Sequence, residues 1–129
     1  MIVLDASVII AHLGDDAHAE QALEILDTED ELAIHPLTLA ECLVGPARLH
    51  REAEAMATIE RLGIELAPCP VGQPLAIARL RATSRLKLPD CCVLVSALQA
   101  SATVGTFDTT LARAATRLAL AVLPTVATS

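Results

Sequence analysis

Short apolar runs alternate with stretches of helical periodicity along the whole chain. The apolar runs predict five β-strands, at 2–5, 32–35, 64–67, 103–107 and 120–123. Between them, apolar side chains recur at the spacing of amphipathic helices, and the predicted helices span 7–13, 16–26, 38–44, 48–62, 74–86, 88–100 and 109–118. This alternation favours an α/β fold in which helices flank a central, mostly parallel sheet of about five strands.

Local signals set the ends of several helices. Thr38 has the residue type of an N-cap and Glu41 follows it as in a capping box, which places Glu41 in the first turn of a helix. Gly45 and Pro46 predict a break after that helix. The segment 91–100 is almost wholly apolar, so we expect the helix that contains it to be central in the fold.

The length of 129 residues suits one domain, 1–129, with one hydrophobic core. Apolar residues make up 53% of the chain, yet no apolar run approaches the roughly 20 residues that a membrane span needs. Asp5 interrupts the apolar N-terminal segment and no basic residue precedes it, so we expect no signal peptide. The sequence therefore predicts a cytoplasmic protein without a membrane partner.

The cysteines and histidines do not form a recognisable metal or disulfide pattern. No CxxC pair occurs among the cysteines, which are Cys42, Cys69, Cys91 and Cys92. No histidine falls at ligand spacing with a cysteine pair; the histidines are His12, His18, His35 and His50. We expect reduced, mostly buried thiols and no zinc site.

Charge is distributed unevenly along the chain, whose formal net charge is −7. Residues 1–47 contain ten acids and no Lys or Arg, whereas 48–129 contain all nine basic residues and six acids. Affinity for nucleic acid comes largely from Lys and Arg, so any such role needs a local basic surface and bound cations. Phe107 is the single aromatic residue, which excludes the aromatic stacking platform of passive single-strand binders.

Four of the sixteen acidic residues stand out by their position. Asp5 and Asp108 each end an apolar strand, whereas Glu41 and Asp90 each lie in the first turn of a largely apolar predicted helix. In a parallel α/β sheet, strand carboxyl ends and the helix N-termini that follow lie along one edge. We therefore expect the four acids to converge in one crevice, although each alone could be an ordinary capping or turn residue.

The chemistry of four converging carboxylates points to a divalent cation. Packed together, they raise one another's pKa unless a cation compensates their charge. Oxygen ligands without His or thiolate suit Mg²⁺ or Mn²⁺, which bridge carboxylates and phosphate. The predicted chemistry is metal-assisted phosphodiester hydrolysis by water.

The four acids lie in the short segments I-V-L-D-A-S at 2–7, T-L-A-E at 38–41, L-P-D-C at 88–91 and T-F-D at 106–108. In their order and spacing, these segments resemble the PIN-domain ribonucleases, and most of all the VapC toxins of bacterial and archaeal toxin–antitoxin pairs. Together they extend over most of the chain. The resemblance implies a PIN-like α/β fold and Mg²⁺- or Mn²⁺-dependent cleavage of RNA, with transfer RNA as a family-level expectation for the substrate.

The resemblance also assigns roles to individual residues. The acidic quartet would be catalytic and corresponds to Asp5, Glu41, Asp90 and Asp108. Asp5 and Asp90 are the first choices for metal ligands, Asp108 would complete the site directly or through water, and Glu41 would orient or deprotonate the attacking water. Ser7 and Thr106 match polar residues found beside the quartet. Many relatives carry a basic residue and a further acid around the fourth motif. This chain has Phe107, Thr109 and Thr110 there, which puts a second metal in doubt.

Partners follow from the same resemblance. An antitoxin would block the site, typically by inserting an Arg or Lys among the acids, and the protein is expected to form a homodimer. Helical surfaces around 11–13 and 37–44 are candidates for these contacts. Candidates for holding the RNA backbone are Arg79, Arg81, Arg85, Lys87, Arg113 and Arg117.

Other functions remain open at the level of sequence. One is a catalytically inactive PIN-fold interaction domain, and another is a nuclease of RNA maturation or turnover. A phosphatase of the Asp-x-Asp type would need an acid where Ser7 stands. A phosphoacceptor receiver domain would need a lysine after a late strand, whereas Lys87 precedes a proline and a helix.

Overall fold

A computed structural model of the chain describes residues 1–14 and 16–125. The strands are β1 (Ile2–Leu4), β2 (Leu32–Ile34), β3 (Ile64–Leu66), β4 (Thr103–Gly105) and β5 (Val122–Leu123). The helices are α1 (Ala6–Gly14), α2 (Ala19–Leu26), α3 (Pro36–Arg48), α4 (Glu52–Arg61), α5 (Gln73–Thr83), α6 (Leu88–Ala100) and α7 (Thr109–Arg117).

The five strands form one sheet in the order β3-β2-β1-β4-β5, and every neighbouring pair is parallel. This confirms the predicted α/β fold. In the register at the centre of the sheet, Val3 lies between Ala33 and Val104. The chain builds the sheet outward from β1 to β3 and then returns to the other side of β1. The strand order therefore reverses at β1 and β4, where open α/β sheets form a crevice at their carboxyl edge.

The core lies on both faces of the sheet. Ile2 and Leu4 pack with α1 to α4 on one face, whereas Val3 packs with α6 and α7 on the other. Alternation along β1 follows from the two-residue period of a strand. Helix α6 is buried from Cys91 to Ala97, which confirms the central position expected for this apolar helix.

The start of α3 differs from the sequence prediction. His35 caps the helix, and its Nδ1 accepts the backbone N–H of Leu37 at 3.1 Å. Pro36 occupies the first turn, where its missing N–H costs nothing. Thr38 is therefore inside the helix, fully buried, and the predicted capping box is wrong. Glu41 lies in the second turn of α3 instead of the first.

Other helix boundaries also shift. The predicted break at Gly45 and Pro46 is wrong, because α3 continues to Arg48 with Pro46 inside its last turn. A proline removes one helical hydrogen bond, and near a helix end that loss interrupts little of the ladder. Helix α4 begins at Glu52 instead of residue 48, and α2 begins at Ala19 instead of residue 16.

Within the described ranges, none of the helices combines the length and apolar character that crossing a membrane requires.

Candidate active site

Asp5 follows β1 directly and is held by two hydroxyl groups. Ser7 Oγ and Thr106 Oγ1 each donate a hydrogen bond of 2.8 Å to Asp5 Oδ2. The backbone of Asp5 is also held in place, since its N–H donates to the Gly105 carbonyl at 2.8 Å. Asp5 is therefore fixed at the reversal point of the sheet, with Oδ1 free of protein hydrogen bonds among the described residues.

The segment after β4 is tied to the same hydroxyl groups. Thr106 Oγ1 accepts the N–H of Asp108 at 3.0 Å, and Ser7 Oγ accepts the N–H of Phe107 at 2.9 Å. These bonds connect the first turn of α1 to the loop between β4 and α7. Because Thr106 Oγ1 also donates to Asp5 Oδ2, Thr106 links the positions of Asp5 and Asp108.

Asp108 is the N-cap of α7. Its Oδ1 accepts the N–H groups of Thr110 at 2.8 Å and Leu111 at 3.2 Å. Asp is among the preferred capping residues, and the D-T-T sequence at 108–110 carries that signal. One carboxylate oxygen is thus occupied in the helix cap, which leaves Oδ2 for another contact.

Asp90 lies in the first turn of α6 and is half-buried. Burial raises its pKa from 3.8 to about 6, and the charges of Asp5, Asp108 and Glu41 add to this increase in that order. Lys87, which precedes α6, acts in the opposite direction. Asp90 therefore senses the charge of all three other members of the acidic quartet.

Glu41 is positioned by the second turn of α3 and its side chain is exposed. Partial burial raises the pKa of its carboxyl, and the charge of Asp5 raises it further. Cys42, the next residue, is buried, and burial together with the charges of Asp5 and Glu41 raises its pKa to about 12. Cys42 therefore stays a neutral thiol beside the acids and is not a nucleophile at neutral pH.

A comparison with protein-family models decides the family. The PIN domain model matches residues 2–117. This chain belongs to the PIN-domain family. A search of curated proteins finds no significant match.

Solved structures similar to this PIN domain include one described as a toxin–antitoxin complex and one described as a toxin. A toxin–antitoxin complex from Klebsiella pneumoniae has 24% identity and a TM-score of 0.71, with coverage of 84% of this chain and 88% of the other. FitAcB from Neisseria gonorrhoeae has 25% identity and a TM-score of 0.69, with coverage of 95% and 96%. VapC20 from Mycobacterium tuberculosis, described as a sarcin-ricin loop cleaving toxin, has 16% identity and a TM-score of 0.67, with coverage of 88% and 95%.

The donor set of this PIN domain fits a hard divalent cation. The four interacting groups are all carboxylates, and oxygen donors without imidazole or thiolate are those that Mg²⁺ and Mn²⁺ prefer. Burial raises the pKa of Asp90 most, and repulsion by the other three carboxylates raises it further. A bound cation would relieve that repulsion. In the described part of the chain, however, no three His, Cys, Asp or Glu side chains form a group compact enough to hold a metal ion.

The basic candidates all lie at the protein surface, mostly around the α5–α6 connection and on α7. Arg79 and Arg81 belong to α5, Arg85 and Lys87 to the connection that follows, and Arg113 and Arg117 to α7. All six are exposed. Among these candidates, the positive charge of Lys87 acts on a member of the acidic quartet, since it lowers the pKa of Asp90.

One feature beside the site was missed at the level of sequence. The ring of Phe107 stacks on the imidazole of His18, with centroids 4.9 Å apart and ring planes at 25°. His18 is exposed and precedes α2, so the two residues are far apart in sequence. The position of Phe107 between Thr106 and Asp108 was a sequence signal that this ring lies near the site. Its stacking partner, His18, could not be identified from the sequence because that contact depends on how α2 packs.

Proposed function

We propose that this PIN-domain protein is an endoribonuclease that depends on Mg²⁺ or Mn²⁺, and that its 129 residues form one nuclease domain. The observation that carries the proposal is the effect of Asp5, Asp108 and Glu41 on the pKa of Asp90. Four carboxylates from distant parts of the chain interact at the carboxyl edge of the sheet, where α/β folds bind ligands. A structural role alone gives no reason to gather four negative charges.

Asp5, Asp90 and Asp108 are the proposed metal ligands. When bound, the cation would polarise the scissile phosphate and help to activate water. Ser7 and Thr106 orient the Asp5 carboxylate through their bonds to Oδ2. Glu41 is the proposed residue that orients the attacking water and accepts its proton. Its raised pKa supports this role, because a base is most effective when its pKa approaches the working pH.

The exposed basic side chains are proposed to hold the RNA backbone beside the acids. Each phosphate contact by Lys or Arg releases counterions and so contributes to affinity in a salt-dependent way. The contributing residues are Arg79, Arg81, Arg85, Lys87 and Arg113. This local basic surface would allow an acidic protein to bind RNA.

We also propose that the nuclease is the toxin of a toxin–antitoxin pair and forms a homodimer. The structures similar to this chain include a toxin–antitoxin complex and a toxin that cleaves the sarcin-ricin loop. A groove of about 490 Å³ lies between α1, α3 and α4, with Ile10, Leu49 and Glu41 in its lining. Ile10 and Leu49 are exposed apolar side chains, so an antitoxin segment that covered them would end beside Glu41.

The nuclease activity is tested with purified full-length protein, freed of any bound partner, on single-stranded RNA. Cleavage with Mg²⁺ or Mn²⁺ that EDTA abolishes is the expected result. No cleavage under either metal would leave the alternative of a catalytically inactive interaction domain.

The toxin role is tested in cells. Expression should arrest growth, and co-expression of the small neighbouring gene should relieve the arrest. In a pull-down, Ile10→Glu should weaken capture of that gene's product, whereas Leu75→Glu, an exposed helical leucine outside the groove, should not. Normal growth with active enzyme would instead favour a role in RNA maturation or turnover.

A further inference from the structure

A second groove, of about 480 Å³, runs along α7 and the connection between α5 and α6. Its volume is in the range of small-molecule sites, about 300 to 1,000 Å³. Apolar side chains form part of its lining, namely Leu80, Leu86, Ala114 and Leu118. An apolar wall of this kind can pack against the flat face of a nucleobase.

Two arginines and three hydroxyl groups complete the groove. Arg85 comes from the α5–α6 connection and Arg117 from the last turn of α7, and both are exposed. Within residues 1–14 and 16–125, neither arginine is part of an ion pair. The hydroxyl groups belong to Thr83, Ser84 and Thr110. Unpaired guanidinium groups above an apolar wall favour an anionic occupant with an apolar part.

One end of the groove lies beside Asp108. Thr110, which lines one end, donates its N–H to Asp108 Oδ1 at 2.8 Å. Arg117 lies about 10 Å further along α7, given the helical rise of 1.5 Å per residue. An RNA strand that crosses the acids can therefore continue directly into the groove.

We propose that this groove binds one nucleotide of the substrate RNA, next to the phosphodiester that is cleaved. Its base packs on the apolar wall, and the adjoining phosphates contact Arg85 and Arg117. This inference rests on the proposed nuclease function and adds a binding site for the nucleotide beside the cleaved bond. The same chemistry disfavours an apolar peptide, because a peptide would leave both arginines without an anionic partner.

The phosphate contacts are tested by cleavage kinetics of full-length Arg85→Ala and Arg117→Ala. Each variant should raise KM about tenfold with kcat within about twofold, because phosphate contacts bind substrate and transition state alike. The slope of log affinity against log salt concentration should fall by roughly 0.7 for each lost contact with a single strand. Arg48→Ala, an exposed arginine outside the groove, is the matched control and should change neither quantity.

The base contact is tested by filling the groove. Thr83→Trp places a bulky ring in it, and Thr116→Trp places the same ring on an exposed position of α7 outside it. Only the first should raise KM. With wild-type protein, an RNA that lacks one base should have a higher KM only when the missing base lies at one fixed position relative to the cleaved bond. For Thr83→Trp, removal of that base should leave KM unchanged.

The proposal is overturned if both arginine variants keep the wild-type KM and salt slope, or if abasic substitution has the same effect at every position. A wild-type protein that cuts no RNA would contradict the proposed function separately. In that case the groove is still tested by affinity for labelled RNA, measured by fluorescence anisotropy. The two proteins compared are Asp90→Asn and the double variant that combines Asp90→Asn with Arg85→Ala. Equal affinity of the two proteins would overturn it, and weaker binding by the combined variant would support it.

Discussion

Thr106 donates its hydroxyl to Asp5 Oδ2 at 2.8 Å, although the two residues are 101 positions apart. Thr106 Oγ1 also accepts the N–H of Asp108 at 3.0 Å. A single hydroxyl group therefore joins the acid that follows β1 to the acid that follows β4. Rigid support of this kind is what a preorganised site requires, because a ligand that can rotate binds its cation less tightly.

Replacement of Thr106 tests this link. Thr106→Val keeps the shape of the side chain but removes the hydrogen bonds to Asp5 and Asp108. The free energy of unfolding should therefore fall by about 1–2 kcal/mol. Cleavage should fall about 10- to 100-fold, as is usual when the support of a metal ligand is lost. Thr106→Ser keeps the hydroxyl and should restore most of both properties. Urea unfolding and RNA cleavage measure the two effects, and equal behaviour of the Val and Ser variants would contradict the link.

Removal of the Asp90 charge should stabilise the metal-free protein. Its raised pKa shows that the ionised carboxyl is unfavourable in the fold. Asp90→Asn should therefore increase the free energy of unfolding at pH 7 in EDTA by about 1 kcal/mol, a value that allows for solvent screening of a half-exposed group. Asp30→Asn, which replaces an exposed acid, is the matched control. A loss of stability in the Asp90 variant alone would show that the ionised Asp90 carboxyl is not unfavourable in the fold.

The same shift sets a pH dependence. Between the unfolded pKa of 3.8 and the folded value of about 6, the native state binds the proton more tightly than the unfolded chain. The Asp90 contribution to stability is therefore greatest below about pH 4 and is lost as the pH rises to about 6. The difference in unfolding free energy between wild type and Asp90→Asn reports this contribution together with the interactions of Asp90 with its charged neighbours, because all groups that do not interact with Asp90 cancel. A flat difference from pH 4 to 7 would contradict it.

Much of the fold could be predicted because its signals are local. Five apolar runs separated by helical patterns identify the strands, and the position of each acid at a strand end or in a helix that follows one places the quartet at one edge. Those inferences depend on periodicity and on the geometry of parallel sheets, which are the same in every α/β protein. The PIN-domain family followed from short motifs around the same acids.

The features that sequence did not give depend on tertiary contacts or on competing local signals. Thr38 has the type of an N-cap, but Pro36 allows α3 to begin earlier with His35 as its cap. The stacking of His18 on Phe107 depends on how α2 packs against the sheet.

His35 joins the cap of α3 to a buried polar cluster, so its replacement should be costly. Nδ1 accepts the Leu37 N–H, and Nε2 lies 3.1 Å from Oε1 of the fully buried Gln73. His35→Ala should lower the free energy of unfolding by about 2 kcal/mol through loss of the cap and creation of a cavity. Asn is a good N-cap, so His35→Asn should recover about half of that. Urea unfolding measures both, and equal losses would show that the cap contributes nothing.

Whether the carboxylate quartet forms a metal-dependent ribonuclease centre is tested most directly by the single-turnover rate at which the protein cleaves single-stranded RNA in Mn²⁺ or Mg²⁺. We expect wild type and Asp30→Asn to cleave at the same rate and EDTA to stop both. Asp5→Asn and Asp90→Asn should be at least about 100-fold slower, because loss of a direct ligand costs no less than loss of its support. Wild-type rates in the Asp90→Asn protein, or cleavage that persists in EDTA, would contradict the assignment.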